Sequence, residues 1–157
     1  MTKVEIHSCA PTADGERVIL ASDDKKAVKY LSLFLDGDAA KLVHSSLHGE
    51  LSEEHAVMFD FLAKSCEQLD LSLLFALLEF CAETGLIEGR IALYGSSEVA
   101  RKFYKVDAPL PFILAFSATY KLPLYVDDMT ISLEEINMEK GESGGKKTRG
   151  RRRLAGD

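Results

Sequence analysis

Three carboxylates near the end of the apolar part of the chain, Asp107, Asp127 and Asp128, offer the chemistry that phosphodiester hydrolysis asks for. They are hard oxygen ligands that could hold Mg²⁺ or Mn²⁺, which would polarise a phosphate and activate water. Each falls at the end of a strand-like run, so neighbouring strands could bring Asp107, the candidate catalytic residue, close to the Asp127 and Asp128 pair as a shared metal site. A second group, Lys146, Lys147, Arg149, Arg151, Arg152 and Arg153, forms a basic arm behind the Gly- and Ser-rich link that runs from Gly141 to Gly145. Such an arm neutralises DNA or RNA phosphates without reading sequence. No aromatic residue interrupts it, so base stacking by the arm has no support. The alternative is a solvated tail that folds back on an acidic body.

Other chemistry-bearing residues read more simply. His44 and His48 are spaced to share a helix face and could ligate zinc, yet the glutamate of the zinc-protease motif is missing between them, and they read as solvent-facing. His7 and His55 have no local partner. Glu53 and Glu54 follow Ser52 as a helix start, and Asp36 and Asp38 do the same for an earlier helix. Cys9, Cys66 and Cys81 are odd in number, widely spaced and set among apolar neighbours, which reads as small buried residues, with neither a disulfide framework nor a thiolate metal site. A Gly-rich phosphate loop and a nucleophile elbow are both missing from the sequence.

Size and charge bound what must position these groups. A chain of 157 residues with 46% hydrophobic content fills one ordinary core. The expected organisation is a single domain over 1–133 followed by a flexible tail, 134–157, that carries the basic arm. The net charge is −6, and the last 14 residues hold six basic side chains against Asp157. Their balance of +5 leaves −11 on the residues before them. No apolar run reaches the roughly eighteen residues of a membrane span, and the first residues alternate with acidic ones, so the expectation is a soluble, cytoplasmic protein without a membrane partner.

Hydrophobic spacing then gives the elements. Thr2 to Ser8 and Arg17 to Ala21 read as a hairpin, and Val28 to Leu35 as a third strand. Ala39, Ala40, Val43 and Leu47 recur at helical spacing before Gly49 stops them. A second helix starts at the N-cap Ser52, and its stripe of Met58, Phe59, Phe61, Leu62, Cys66 and Leu69 predicts a core-facing helix. The apolar run from Leu73 to Cys81 fits a strand or a helix; the turn at Thr84 and Gly85 and the strand Leu86 to Tyr94 make it the first arm of a hairpin. Lys102 to Asp107 adds another strand. Pro109 and Pro111 open a short helix with no charged face, packed on both sides, and Pro123 precedes the last strand, Leu122 to Val126. The fold class is α+β, a mixed and mainly antiparallel sheet of about six to seven strands with two longer helices and one short C-terminal helix.

This succession, and the block from Val106 to Val126 above all, resembles the bifunctional nuclease domain family. Asp107 and Ala108 open that block, Leu114, Ala115 and Phe116 occupy its helix, and Leu122 to Val126 closes it. The strand ending Leu31 to Leu35 and the hairpin from Thr84 to Leu93 are similar to the family's in character, so the resemblance covers about residues 1–130. It implies metal-dependent cleavage of DNA or RNA. The family's Arg-Pro-Ser-Asp motif is replaced here by Pro109, Leu110, Pro111 and Phe112, and its His-Asp stretch before the second long helix is reduced to His48, His55 and three glutamates. A preserved apolar scaffold with the polar motif exchanged is what a diverged relative looks like, because packing selects pattern whereas catalysis selects particular groups.

Two functional readings follow. One is a nuclease, or a nuclease-like nucleic-acid binder, whose acidic body is tethered to its substrate by the basic arm. The other is a non-catalytic homo-oligomer, a dimer or higher, that keeps the packing surfaces without the polar site. The closing helix and the run from Leu73 to Cys81 favour the latter, because a monomer of this size has difficulty covering both.

Overall fold

A computed structural model describes residues 1–11, 15–22, 28–96, 101–128 and 130. The expected tail, 134–157, with its basic arm Lys146, Lys147, Arg149, Arg151, Arg152 and Arg153, lies outside the described residues. Strands β1 (Thr2–Pro11), β2 (Gly15–Ser22) and β3 (Tyr30–Asp36) form an antiparallel meander. Helices α1 (Gly37–Leu47) and α2 (Glu53–Gln68) follow, then a second meander of β4 (Leu71–Cys81), β5 (Leu86–Gly95) and β6 (Lys102–Ala108). Helix α3 (Leu110–Tyr120) and the three-residue strand β7 (Leu124–Val126) complete the described elements.

Short-range signals account for most boundaries. Asp36 stands at the N-cap of α1 without a side-chain bond, and Asp38 sits in its first turn. Gly49 takes φ +67° after that helix, a conformation that glycine adopts at no steric cost. The Ser52 hydroxyl accepts from the backbone N–H of His55 and satisfies one of the orphan donors of α2. Pro109 caps α3, with Pro111 in its first turn, and Lys121 ends it in the left-handed region at φ 54°.

The strands make one seven-stranded sheet in the order β3-β2-β1-β7-β4-β5-β6. The last strand, β7, therefore lies in the middle, antiparallel to β1 and parallel to β4, and joins two meanders that would otherwise be separate hairpin sheets. Among the described residues the architecture is α+β, mixed and mainly antiparallel, with seven strands and three helices. No helix among the described residues is long and apolar enough to cross a membrane.

The core lies between the sheet and the helices. Val4, Val18, Leu20, Leu31, Leu33, Leu35, Leu78, Leu124 and Val126 point into it from the sheet, and Val43 and Ile113 to Phe116 from the helices. Residues 113–117 of α3 are buried in succession, so that helix is covered all round, as its missing charged face predicts. Ile113 presses on Gly89 of β5, where an added Cβ would lie 2.5 Å from the Ile113 Cγ1.

Helix α2 departs from expectation. Of its apolar stripe only Phe59 is buried, held edge-on to Phe112 and Phe116 at ring-centre distances of 5.3 and 5.5 Å. Cys66 is half-buried, while Met58, Phe61, Leu62 and Leu69, together with Val57, face solvent. The stripe is wider than the surface available: α2 touches the sheet chiefly at β4, and α3 already covers the neighbouring ground. By contrast the middles of α3 and β4, the two segments whose covering pointed to oligomerisation, are buried within the chain itself, although Phe80 of β4 is 44% exposed. Most of the exposed apolar surface on the helices lies on α2 and its C-cap.

Candidate functional site

The sheet face opposite the helices carries Glu79, Arg90 and Asp107 alongside the buried Leu77 and Ala92, since residues directly opposite in an antiparallel pair share a face and alternate with core positions. Leu78 and Ile91 point into the core, so Glu79 and Arg90 emerge on the open face, where Arg90 pairs with Asp107 of β6. The Arg90 Nε donates to the Asp107 Oδ1 at 2.9 Å, and its Nη1 donates to the Glu79 Oε1 at 3.0 Å. One guanidinium thus bridges two carboxylates on strands either side of its own. Arg90 and Glu79 are half-buried, but the Asp107 side chain is 83% exposed. Asp107 also lines an open groove of about 410 Å³ with Glu88, Gly89, Pro109 and Leu110.

The three sequence-predicted metal ligands do not come together. A row of paired residues, Tyr125, Leu77, Arg90 and Asp107, runs across β7, β4, β5 and β6. Three strand spacings separate its ends, roughly 14 Å at the usual interstrand distance. Asp127 and Asp128 follow Tyr125 on the far side of that gap. The backbone N–H of Asp127 donates to the Leu78 carbonyl at 3.0 Å. Asp128 accepts from the Thr2 hydroxyl and from the N-terminal ammonium of Met1, the latter at 3.1 Å. The Thr2 bond, followed by the ammonium, holds its carboxyl below the usual aspartate range. At Asp107 the guanidinium occupies one carboxylate oxygen and its positive charge opposes a divalent cation there. Among the described residues no group of three or more His, Cys, Asp or Glu side chains is placed to hold a metal ion.

Arg90 and Glu79, which give Asp107 its setting, escaped the sequence reading. Their positions on the open face follow from the alternation of β4 and β5, but the pairing of β6 with β5 is needed to set Arg90 opposite Asp107. The cysteines also differ from expectation. None of Cys9, Cys66 and Cys81 is fully buried. Burial pushes the Cys9 and Cys66 thiols up, whereas Cys81, at the start of the β4–β5 turn, is lowered by the Thr84 hydroxyl and by backbone bonds of Thr84 and Glu83.

Two of the four histidines, His44 and His48, lie together, whereas the His7 ring packs edge-on to Tyr30 at 5.9 Å. The His44 and His48 rings are 4.3 Å apart, the His44 Nδ1 is 3.6 Å from the Glu16 Oε1, and the His48 Nδ1 is 2.8 Å from the His44 carbonyl oxygen. His55 is 3.0 Å from the Ser52 hydroxyl that caps its helix. A second cleft, of about 530 Å³, lies between α2 and the start of β4, with Asp60, Lys64, Glu67 and Asp70 at its wall. Lys64 bonds Asp60 there at 3.0 Å, one turn away on the same helix.

No protein-family model matches the chain, and no curated protein matches it.

Proposed function

We propose that this chain is a non-catalytic, homo-oligomeric interaction module built on a scaffold that resembles the bifunctional nuclease domain. One observation carries the reading: five large apolar side chains on α2 and its C-cap, Val57, Met58, Phe61, Leu62 and Leu69, are between 42% and 69% exposed. Exposed large apolar side chains gathered on one element are the kind of surface that marks an interaction site. A second copy of the chain is the partner the reading names. The separation of Asp107 from Asp127 and Asp128 supports the absence of a metal-dependent step.

The rival reading, cleavage of DNA or RNA with Mg²⁺ or Mn²⁺, rests on the resemblance and on Asp107 at the rim of its groove. One experiment separates the two. Purified full-length chain is incubated with single-stranded and duplex DNA and RNA, with each metal and with chelator, while sedimentation gives its mass in solution. The module reading expects a dimer or larger species and no cleavage above a mock preparation. Metal-dependent cleavage that disappears in Asp107→Ala would overturn it.

A further inference from the structure

The geometry points to β6 as the seam at which two copies of this chain join, antiparallel and edge to edge, into one continuous sheet. This rests on the self-association reading and adds a contact separate from the apolar group on α2, a helix that meets the sheet chiefly at β4. Strand β6 closes one end of the sheet, with no further strand beside it among the described residues. Phe103 is 70% exposed on its open face and Val106 49% exposed on the other, so a neighbouring strand would cover apolar groups on both sides. At the opposite end, β3 turns Leu31, Leu33 and Leu35 into the core and carries a charge only at Asp36. Tyr30 and Phe34 are exposed on its other face, and with Lys29 just before the strand and Asp36 at its end β3 offers fewer charged positions than β6.

Charge supplies direction and register at β6. On the open face, at the C-terminal end of the strand, Glu79, Arg90 and Asp107 hold two negative charges against one positive, and Glu88 beside Glu79 adds another negative. Lys105, at the middle of the strand, shares the face of Asp107, and Arg101, one residue before the strand and an even number of positions from Asp107, puts a positive charge at the other end. Parallel pairing would set like ends together. Antiparallel pairing about a two-fold axis sets a basic end on an acidic end twice over.

Only some registers do this. An axis at Lys105 sets that ammonium against its own copy, and an axis at Phe103 sets Arg101 against the partner's Lys105. An axis at Val106 matches Lys105 with the partner's Asp107 but pairs only residues 104–108. An axis at Tyr104 pairs residues 101–107: Arg101 meets the partner's Asp107, Lys102 lies beside the partner's Val106, and Phe103 meets the partner's Lys105. Matched positions then differ by even numbers, so core-side residues face core-side residues. The lysine stem suits contact with an aromatic ring. Lysines on an edge strand discourage indiscriminate pairing, and here they confine it to one arrangement.

The test uses sedimentation equilibrium of the full chain as wild type, as Arg101→Asp, as Asp107→Lys, and as an equal mixture of those two variants. Each variant alone should self-associate at least about tenfold more weakly than wild type. The mixture should recover, because the new carboxylate of one variant meets the new ammonium of the other while Arg101 and Asp107 stay matched at the second end. Loss of the Arg90 bond in Asp107→Lys would not produce that recovery. Variants that associate like wild type, or a mixture no tighter than either component, would overturn the seam. If Phe61→Ser disperses the oligomer while the β6 variants leave it intact, self-association stands and the seam fails. A wild-type chain that stays monomeric overturns both.

Discussion

Arg90 of β5 and Asp107 of β6 are bound side chain to side chain, Nε to Oδ1, at 2.9 Å across the open face of the sheet. The same guanidinium holds Glu79 on the other side, so Asp107 belongs to an ion-pair group in place of a metal cluster. Exposed pairs of this kind are worth about 0.2–1 kcal/mol, so Asp107→Ala should leave thermal and urea stability nearly unchanged. Arg90→Ala should cost more than Asp107→Ala, because it leaves two carboxylates facing each other without their cation. Urea titration of the two single variants and the double variant checks the order. Equal losses would mean that Arg90 does not bridge.

Phe59 and Phe61 are two residues apart on α2 and have opposite fates. Phe59→Ala removes a ring that is 3% exposed and should cost about 3–5 kcal/mol. Phe61→Ala removes one that is 60% exposed and should change the stability of the folded chain by no more than about 0.5 kcal/mol at a concentration where it is monomeric. Dilute-solution melting curves read the difference. A large loss at Phe61 would show that α2 lies deeper in solution.

Gly89 is required for space. A methyl group there would lie 2.5 Å from the Ile113 Cγ1 and 3.3 Å from the Ala108 carbonyl oxygen. Gly89→Ala should therefore cost about 1–3 kcal/mol through displacement of α3 from the sheet. Adding Ile113→Ala should recover part of that loss, with the two substitutions less than additive. Strict additivity would place the two residues out of contact.

Asp128 provides a pH signature. Its carboxyl lies below the ordinary aspartate value in the folded chain, first because of the Thr2 hydroxyl and then because of the N-terminal ammonium. The contacts therefore add stability above the unfolded-state value of an aspartate, and that contribution fades as pH falls through the lower folded-state value. Carboxyl NMR should find Asp128 titrating below a typical aspartate, and Thr2→Val should move it back upward. An unchanged titration in Thr2→Val would remove the hydroxyl as the main cause.

Much of the architecture was legible in the residues because it is decided locally. Alternation in Thr2 to Ser8 and Arg17 to Ala21, the Ser52 cap, the turn at Thr84 and Gly85, and the prolines around α3 each act over a few residues, and each marks the element found there. The open-face position of Arg90 is local in the same sense, since it follows from the pleat of β5. Its contact with Asp107 is less so, because it needs the register between β5 and β6.

What only the tertiary structure decided concerns long-range choices. The placement of β7 between β1 and β4 sets the strand order, and with it the distance that keeps Asp107 from Asp127 and Asp128. Strand sequences carry face and period but do not say which neighbour each strand takes. The apolar stripe of α2 likewise specified a helix with one wide hydrophobic side. How much of that side is covered depends on the room left by α3 and β4, so Phe59 is buried and Phe61 is left to face solvent.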